Sequence, residues 1–442
     1  MNTGKGSLIL QRLDIGLIVC VVGLMVLGVA FVYSSGVNSE SQQMSGEWIK
    51  QIIWSVTGLV FMAGAAFIDY RRWQALAIPM YIGYLLVLVL VLFAGNYVKG
   101  ARSWLGIGSF GIQPSEFGKI IVIIMLAWWF GEQGKGESDL RQSLGAIIIA
   151  MVPVGLILLQ PDLGTAFVYI PILFTIAFFA GIGWRVLLFP LAVGVLIVSG
   201  VLGYAWNEHI ADTPLNLFRL FTEMRLFRTV FLSSLGLIVM TAAGWFIFHR
   251  RYFLPILYGL GVFSMAFIGI AGAARVLRGY QMMRLVVFLN PQIDPRGAGW
   301  HIIQSVTAVG SGGIAGKGFL QGTQSHYRYL PEQSTDFIFS IIAEEIGFLG
   351  CLFVFALFAY IIIRALRIAY TSFDKFGSYI AVGVAAMISF HVIENIGMAI
   401  GVMPITGIPL FFLSYGGSSL WTALMAMGLL LSIHFRRSYK FA

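Results

Sequence analysis

Charge is scarce in this chain. Only 11% of its 442 residues are Asp, Glu, Lys or Arg, against about 25% in a soluble domain. No stretch is polar enough, for long enough, to form a soluble domain with its own core. Cysteine is almost missing: Cys20 and Cys351 are the only two, which excludes a disulfide framework or a cysteine metal motif. Both fall in apolar runs and read as inert core residues. The six histidines include no pair at metal-ligand spacing. No period of self-similarity appears, so a repeat fold is excluded.

What is abundant is apolar. Hydrophobic residues make up 59% and the mean hydropathy is +0.88. Many windows of about 20 residues are nearly free of charge, each long enough to cross roughly 30 Å of hydrocarbon. A lone strand cannot satisfy its backbone in lipid, so the spans must be helices. The expected fold class is all-α: a polytopic helical membrane protein. Spans are expected near 14–35, 48–68, 73–94, 115–131, 144–160, 164–181, 186–205, 229–248, 253–274, 337–363, 379–400 and 418–435, about twelve in all. The first run is long, lacks a small-residue cleavage site and begins a series, so it reads as a span and not a cleavable signal.

An even count puts both termini on one side. The tail, the DYRRW turn at 69–73, 132–143, Arg185, the HRR at 249–251, 364–378 and the C-terminal FRRSYK share that side. Their positive charge makes it cytoplasmic. The other face should be poor in Lys and Arg. Yet it holds Arg102, Arg219, Arg225, Arg228, Arg275, Arg278, Arg284, Arg296, Lys317 and Arg328. Either an anionic partner is met there, or long loops translocate whatever their charge. The longest segment between spans is 275–336, expected as a large extracytoplasmic loop.

Five stretches carry chemistry. In PSEFGK, Pro114 suits the first turn of a helix, and Glu116 and Lys119, three apart, share a face. They form either a self-neutralising pair or an ion pair lining a polar cavity, with Lys119 available to a phosphate. In LLQPDLGTA, Asp162 sits in a Pro/Gly break between apolar runs, either at a cavity or in a tight outer turn. The glycines of GSGGIAGKG, 310–318, fit no phosphate-loop or dinucleotide spacing. They make either a linker or a loop whose amides and Lys317 approach a phosphate. In LPEQSTDFIF, Asp336 stands where water gives way to lipid, a costly place for an unused carboxylate. Its alternative is a helix-start charge favoured by the dipole, with Thr335 capping beside it. Glu344 and Glu345, deeper in that span, are expected to pair with basic groups on neighbouring spans. In HVIENIGMAIGVMPITGIPLFFLSYGG, Glu394 and Asn395 are polar groups inside a span, His391 reads as a satisfied core histidine, and MPITGIPL as a broken loop dipping back toward the membrane.

Five motifs in order, QPSEFGK, LLQPDLGTA, FLNPQIDPRGAGWHIIQSVTAVGSGGIAGKG, GTQSHYRYLPEQSTDFIFSIIAEEIGFLG and MPITGIPLFFLSYGGSSL, resemble the SEDS family (shape, elongation, division and sporulation) of bacterial membrane proteins. ENIGMAIGVMPITGIPL is most similar to its rod-shape branch. The resemblance covers nearly all the chain outside 206–274. It implies a peptidoglycan glycosyltransferase that polymerises lipid II outside the bacterial cytoplasmic (inner) membrane, with a class B penicillin-binding protein and the elongation machinery as partners and no nucleic acid. The family's catalytic Asp matches Asp336. Glu116, Lys119 and Asp162 match its cavity residues, and Arg102, Gln304 and Lys317 complete the expected substrate set. No cofactor is certain; a divalent cation, Mg or Mn, could assist, though no DxD-like pair marks a site. Two departures stand out. Phe411, in Pro409-Leu410-Phe411-Phe412, occupies a position that is usually Pro. The family also has about ten spans, so 229–248 and 253–274, within 206–274, read as an inserted hairpin in one integral domain spanning 1–442.

The residues and the implied reaction fit. Pyrophosphate leaves well if cations stabilise it, so no second carboxylate acid is needed, unlike glycoside hydrolysis. A base, Asp336, remains necessary for the acceptor hydroxyl. Broken helices and intramembrane charges also suit a lipid II transporter, and a scaffold that activates its penicillin-binding partner is the third reading.

Overall fold

The computed structural model describes residues 14–37, 45–98, 101–107, 110–132, 139–211, 213, 215–277, 279–327 and 329–436. Arg278 and Arg328 lie outside them, as do the N-terminal tail, residues 133–138 of the 132–143 turn and the chain from Arg437 on.

Each apolar run becomes a helix. They are α1 (Ile15–Ser35), α2 (Glu47–Phe67), α3 (Tyr70–Ala94), α4 (Pro114–Glu132), α5 (Asp139–Leu159), α6 (Leu163–Phe179), α7 (Trp184–His209), α8 (Met224–Phe248) and α9 (Phe253–Val276). After α10 (Gly279–Leu289) and α11 (Ala298–Ser311) come α12 (Ile338–Thr371), α13 (Lys375–Ala399) and α14 (Gly417–Arg436). A 21-residue helix such as α1 rises about 30 Å, the hydrocarbon thickness. Among the described residues eleven helices are long and apolar enough to cross a membrane, and α6 is a shorter apolar one of 17 residues. The chain is thus a multi-pass helical membrane protein. Aspartates cap several of these helices, supplying acceptors to orphan N–H groups: Asp14 takes Leu17 N at 3.2 Å, Asp69 takes Arg71 N at 3.0 Å and Asp374 takes Gly377 N at 2.8 Å. Cys20 is half-buried in α1 and Cys351 buried in α12, both free thiols.

Where one domain is expected, packing divides the chain into two compact units, residues 1–182 with 304–442, and residues 183–303. The first is organised around α4, α13 and α14, in which 72%, 78% and 83% of the spanning stretch is buried. The second packs α7 against α9 through glycines: a side chain at Gly200 would strike Ile270, and one at Gly269 would strike Ile197. Such small residues let helices approach in lipid. Ala205, Met282 and Val286 form a core where α10 meets α7. The Arg275 guanidinium lies 4.8 Å from the Phe227 ring, a cation–π arrangement.

Two local features outside the spans differ from expectation. Residues 96–112 form an antiparallel meander of β1 (Asn96–Val98), β2 (Ala101–Ile107) and β3 (Phe110–Ile112), with Tyr97 opposite Arg102 and Gly106 opposite Gly111. The 275–336 segment, expected as a long loop, holds α10, α11 and a one-turn helix at Thr323–His326. Its apolar residues recur on helical faces: Met282 and Val286 are buried, four apart, as an amphipathic helix requires.

The glycine-rich 310–318 stretch is packed into the fold. Helix α12 breaks at Gly347, whose φ of 65° and ψ of −166° are not helical. The stretch docks against that break. Lys317 N and Gly318 N donate to the Glu344 and Glu345 carbonyls at 3.0 and 2.9 Å, and Phe348 N and Leu349 N donate to Gly313 O and Ile314 O at 2.9 and 3.1 Å. Backbone groups freed by the break are thereby paired, as buried groups must be. A side chain at Gly312 would run into Ala343 O, and one at Gly316 into Glu345 O. The glycines are needed for this approach.

Candidate active site

Pro114 opens α4, as its missing N–H permits. One turn in, Glu116 and Lys119 are both buried, and Lys119 Nζ meets Glu116 Oε1 at 2.7 Å. The ammonium has a second partner, His391 Nε2 of α13, at 3.1 Å. Lys119 is completely shielded, so it is not available to a phosphate as expected. It belongs to an internal polar cluster. His391 is a satisfied core histidine, as expected. Its Nδ1 lies 2.9 Å from Pro409 O, and its ring stacks on Phe411 at 3.7 Å.

Pro409 and Phe411 belong to the irregular stretch between α13 and α14. Its residues Ile408, Leu410, Phe411, Phe412 and Leu413 are buried, so the MPITGIPL loop does turn inward. Irregular backbone is tolerated there because protein covers it. Helix α13 holds this loop from one face. His391 reaches Pro409 O, Thr406 Oγ1 donates to Glu394 Oε1 at 2.8 Å, and Asn395 Nδ2 donates to Ile408 O at 2.8 Å. Helix α1 abuts it closely: a side chain at Gly28 would collide with Phe412 O.

The loop gathers the other motifs. The Asn395 amide also donates to Asp336 O at 2.8 Å. A Cβ on Gly407, whose φ is +77°, would lie 3.4 Å from Asp336 Oδ2, so the carboxylate faces the loop. Tyr415 N donates to Ser334 O at 2.8 Å. Asp336 is half-buried in a turn, its N–H 3.1 Å from Glu332 O. It stands two residues before α12 and does not cap it; nor does Thr335, whose hydroxyl turns back to Glu332 O and Oε2, both at 3.3 Å. Asp162 caps α6, accepting from Thr165 N and Oγ1 at 3.1 and 2.9 Å and from Gln113 Nε2 at 2.7 Å. The next residues touch the same loop, since a Cβ on Gly164 would lie 2.5 Å from Thr406 O.

Three expected residues lie elsewhere. Arg102 is exposed on β2, with Nη1 3.5 Å from Leu92 O. Gln304 is half-buried on α11, beside Ser305, whose hydroxyl meets Ser340 Oγ and Ala399 O at 2.7 Å. Lys317 pairs with Glu344 at 2.7 Å and with Thr323 Oγ1 at 2.8 Å. Glu344 therefore finds its cation on a loop, not on a neighbouring span. Glu345 accepts from Ser34 Oγ of α1 and from Leu320 N at 3.2 Å, with His326 Nε2 3.6 Å away. Burial holds the His326 imidazole below its ordinary pKa, partly offset by Glu344. Sequence reading missed His391, Gln113 and Ser34 as partners. The 391/395 spacing, i and i+4 on one helix face, is the one signal that could have found the clamp. Among the described residues no group of three His, Cys, Asp or Glu could hold a metal ion.

Comparison with known proteins identifies the family. A family model described as cell cycle protein FtsW/RodA/SpoVE matches residues 15–212 and 218–439, so α8 and α9 lie inside the matched stretch. The peptidoglycan glycosyltransferase RodA of Treponema pallidum (strain Nichols) is 44% identical over 96% of this chain and 98% of its own. The peptidoglycan glycosyltransferase MrdB of Escherichia coli K12 is 33% identical over 94% of this chain and 93% of its own. A chain from a solved peptidoglycan synthase complex that coordinates polymerisation and crosslinking is 26% identical, covers 96% of this chain and 98% of that one, and superposes with a TM-score of 0.66. The fold, the gathered motifs and these likenesses, which run nearly end to end, place the chain in the FtsW/RodA/SpoVE family.

Proposed function

We propose that this chain is a peptidoglycan glycosyltransferase of the RodA kind that polymerises lipid II. One observation carries the reading. Asp336 and the Asp162 turn meet the single 400–416 loop, and the Glu116–Lys119 pair joins it through His391, though all are far apart in sequence. A polar assembly of that kind inside an apolar bundle is costly unless it is used.

In this reading lipid II binds at the outward face, with its pyrophosphate toward exposed cations such as Arg102. Asp336 takes the proton of the acceptor sugar hydroxyl. That oxygen attacks C1 of the donor, the bond from C1 to the pyrophosphate oxygen breaks, and the α-linked donor becomes a β-1,4 link. Undecaprenyl diphosphate leaves with the electron pair, stabilised by positive charge. A divalent cation, Mg or Mn, would supply the same positive charge, though no group of three His, Cys, Asp or Glu among the described residues would hold one. A class B penicillin-binding protein would crosslink the product, in keeping with the solved complex in which polymerisation and crosslinking are coordinated. Positive charge on alternate turns supports termini in the cytoplasm of a bacterium and a site facing outward.

The test is polymerisation by the purified protein with lipid II in detergent, where there are no sides to cross. Wild type should make glycan chains, and Asp336→Asn should lose about 10²–10⁴-fold while still inserting and folding. Substrate movement in vesicles without polymer would instead favour transport. Near-normal synthesis by Asp336→Asn would sink the general-base assignment.

A further inference from the structure

Two side chains of α13 connect the buried Lys119–Glu116 pair to Asp336, and the proposed reaction has not used them. His391 is fully buried, and its contacts fix its chemistry. The Pro409 carbonyl carries no proton, so the 2.9 Å contact requires Nδ1 to be the donor. The Lys119 ammonium has no lone pair, so Nε2 must accept from it across 3.1 Å. The imidazole is therefore neutral, in the Nδ1–H form, with both nitrogens engaged. The ring is further held by the Phe411 face at 3.7 Å. One turn along, Asn395 donates twice with one amide nitrogen, to Ile408 O and to Asp336 O, both at 2.8 Å.

The two residues thus grip consecutive carbonyls of the loop, Ile408 and Pro409. Gly407, the residue just before, lies against the Asp336 carboxylate. We infer that His391 and Asn395 are positioning residues that set the Asp336 carboxylate by clamping Ile408–Pro409, and that Lys119 serves the reaction through His391, not by touching substrate. The complete shielding of Lys119 is then part of its use: the ion pair holds the imidazole, the imidazole holds the loop, and the loop faces the base. A helix is a stiff ruler, and His391 and Asn395 lie on one of its faces, about 6 Å apart. Misplacement of a reacting group by about 1 Å can cost 10²-fold in rate.

This inference rests on the glycosyltransferase reading, and the experiment separates the two. Four proteins are assayed for turnover of lipid II in detergent: wild type, His391→Asn, His391→Phe and Asn395→Ala. Phe keeps the stack on Phe411 but gives Pro409 no donor. Asn places an amide N–H near the position of Nδ1. The expectation is that His391→Phe and Asn395→Ala lose about 10²-fold in kcat, with KM for lipid II unchanged. His391→Asn should recover most of that loss. A raised KM with unchanged kcat would make the cluster a ligand contact and overturn the proposal, as would equal loss in both His391 variants or no loss in any.

A second measurement does not depend on activity, and its deciding signal comes from the wild type. Nitrogen-15 NMR of histidine-labelled wild type should show one Nδ1–H tautomer with an unprotonated Nε2, perturbed in Lys119→Met. An imidazolium or an Nε2–H signal there would refute the clamp. If wild type makes no polymer at all, the glycosyltransferase reading fails while the NMR result still decides the clamp. If wild type polymerises and the variants match it, only the clamp fails.

Discussion

Helices α13 and α8 are both 25 residues long, and α13 alone sends several polar side chains to other parts of the chain while also bonding Ser389 Oγ back to Ala385 O at 2.7 Å. In α13, 78% of the spanning stretch is buried, against 6% in α8. Three hydroxyls of α8 bond back to their own helix: Thr229 to Arg225 O at 3.0 Å, Ser234 to Phe231 O at 2.8 Å and Thr241 to Leu237 O at 2.7 Å. Such bonds satisfy a polar group locally and need no neighbour. His391, Glu394 and Asn395 of α13 instead bond to other parts of the chain. A polar residue in an apolar span therefore says little until its partner is known. Self-bonded, it is compatible with lipid; bonded across elements, it fixes a geometry.

The contrast can be broken by substitution. The largest effect is expected on activity, from Asp336→Asn as above, whereas Arg225→Gln at the exposed start of α8 should leave polymerisation within about twofold if that arginine is only a surface charge. Next comes stability. Lys119→Met leaves Glu116 charged and buried without its cation, which should cost about 3–5 kcal/mol. Adding Glu116→Gln should return part of it, and Thr241→Val in α8 should change stability by no more than about 0.5 kcal/mol. Thermal unfolding in one detergent ranks all three; equal shifts for Lys119→Met and Thr241→Val would erase the distinction.

Gly347→Ala follows. Its φ of +65° disfavours any side chain, and a Cβ there would strike Gly316 N. The strain alone is about 1–3 kcal/mol, and increased proteolysis between 312 and 318 would report the undocking. The smallest effect concerns His326. Its pKa is lowered from 6.5, so the folded state binds its proton less readily than the unfolded state. The resulting stabilisation is present above the unfolded value, and it declines as pH falls through 6.5 toward the folded value. Unfolding temperature should drop between pH 7.5 and 5.5, and less so in His326→Gln; the same slope in both would remove His326 from the account.

Much of the fold was legible because apolar runs of span length have one structural answer in lipid. Every expected span corresponds to a helix, with ends displaced by only a few residues or, at the C-terminal end of α12, by one more turn or two. The start of α4 followed from Pro114, and the turn at Asp162 from Pro161 and Gly164. Less was legible where the pattern is short or the partner distant. Strands of three residues, as in β1 and β3, leave too little alternation to read. Helices α10 and α11 are short and carry glycines, and were hidden within what read as a loop. The site residues Asp336, Glu116 and Lys119 could be named from motifs, but their connection could not. Lys119 and His391 are separated by 272 positions, and no local periodicity records such a pairing. Lys317 misled because a lysine among glycines suggests phosphate, while its carboxylate partner lies 27 residues on.

The docking of 313–318 on the break at Gly347 has a consequence for chain length. Surface loops ordinarily absorb insertions, since lengthening them costs little entropy. Here four backbone bonds run in fixed pairs between 313–318 and 344–349. One extra residue between Ile314 and Lys317 would put one half of those pairs out of step with the other. One deleted residue would do the same in the opposite sense. The segment should therefore tolerate changes of side chain away from its glycines, yet refuse any change in its number of residues.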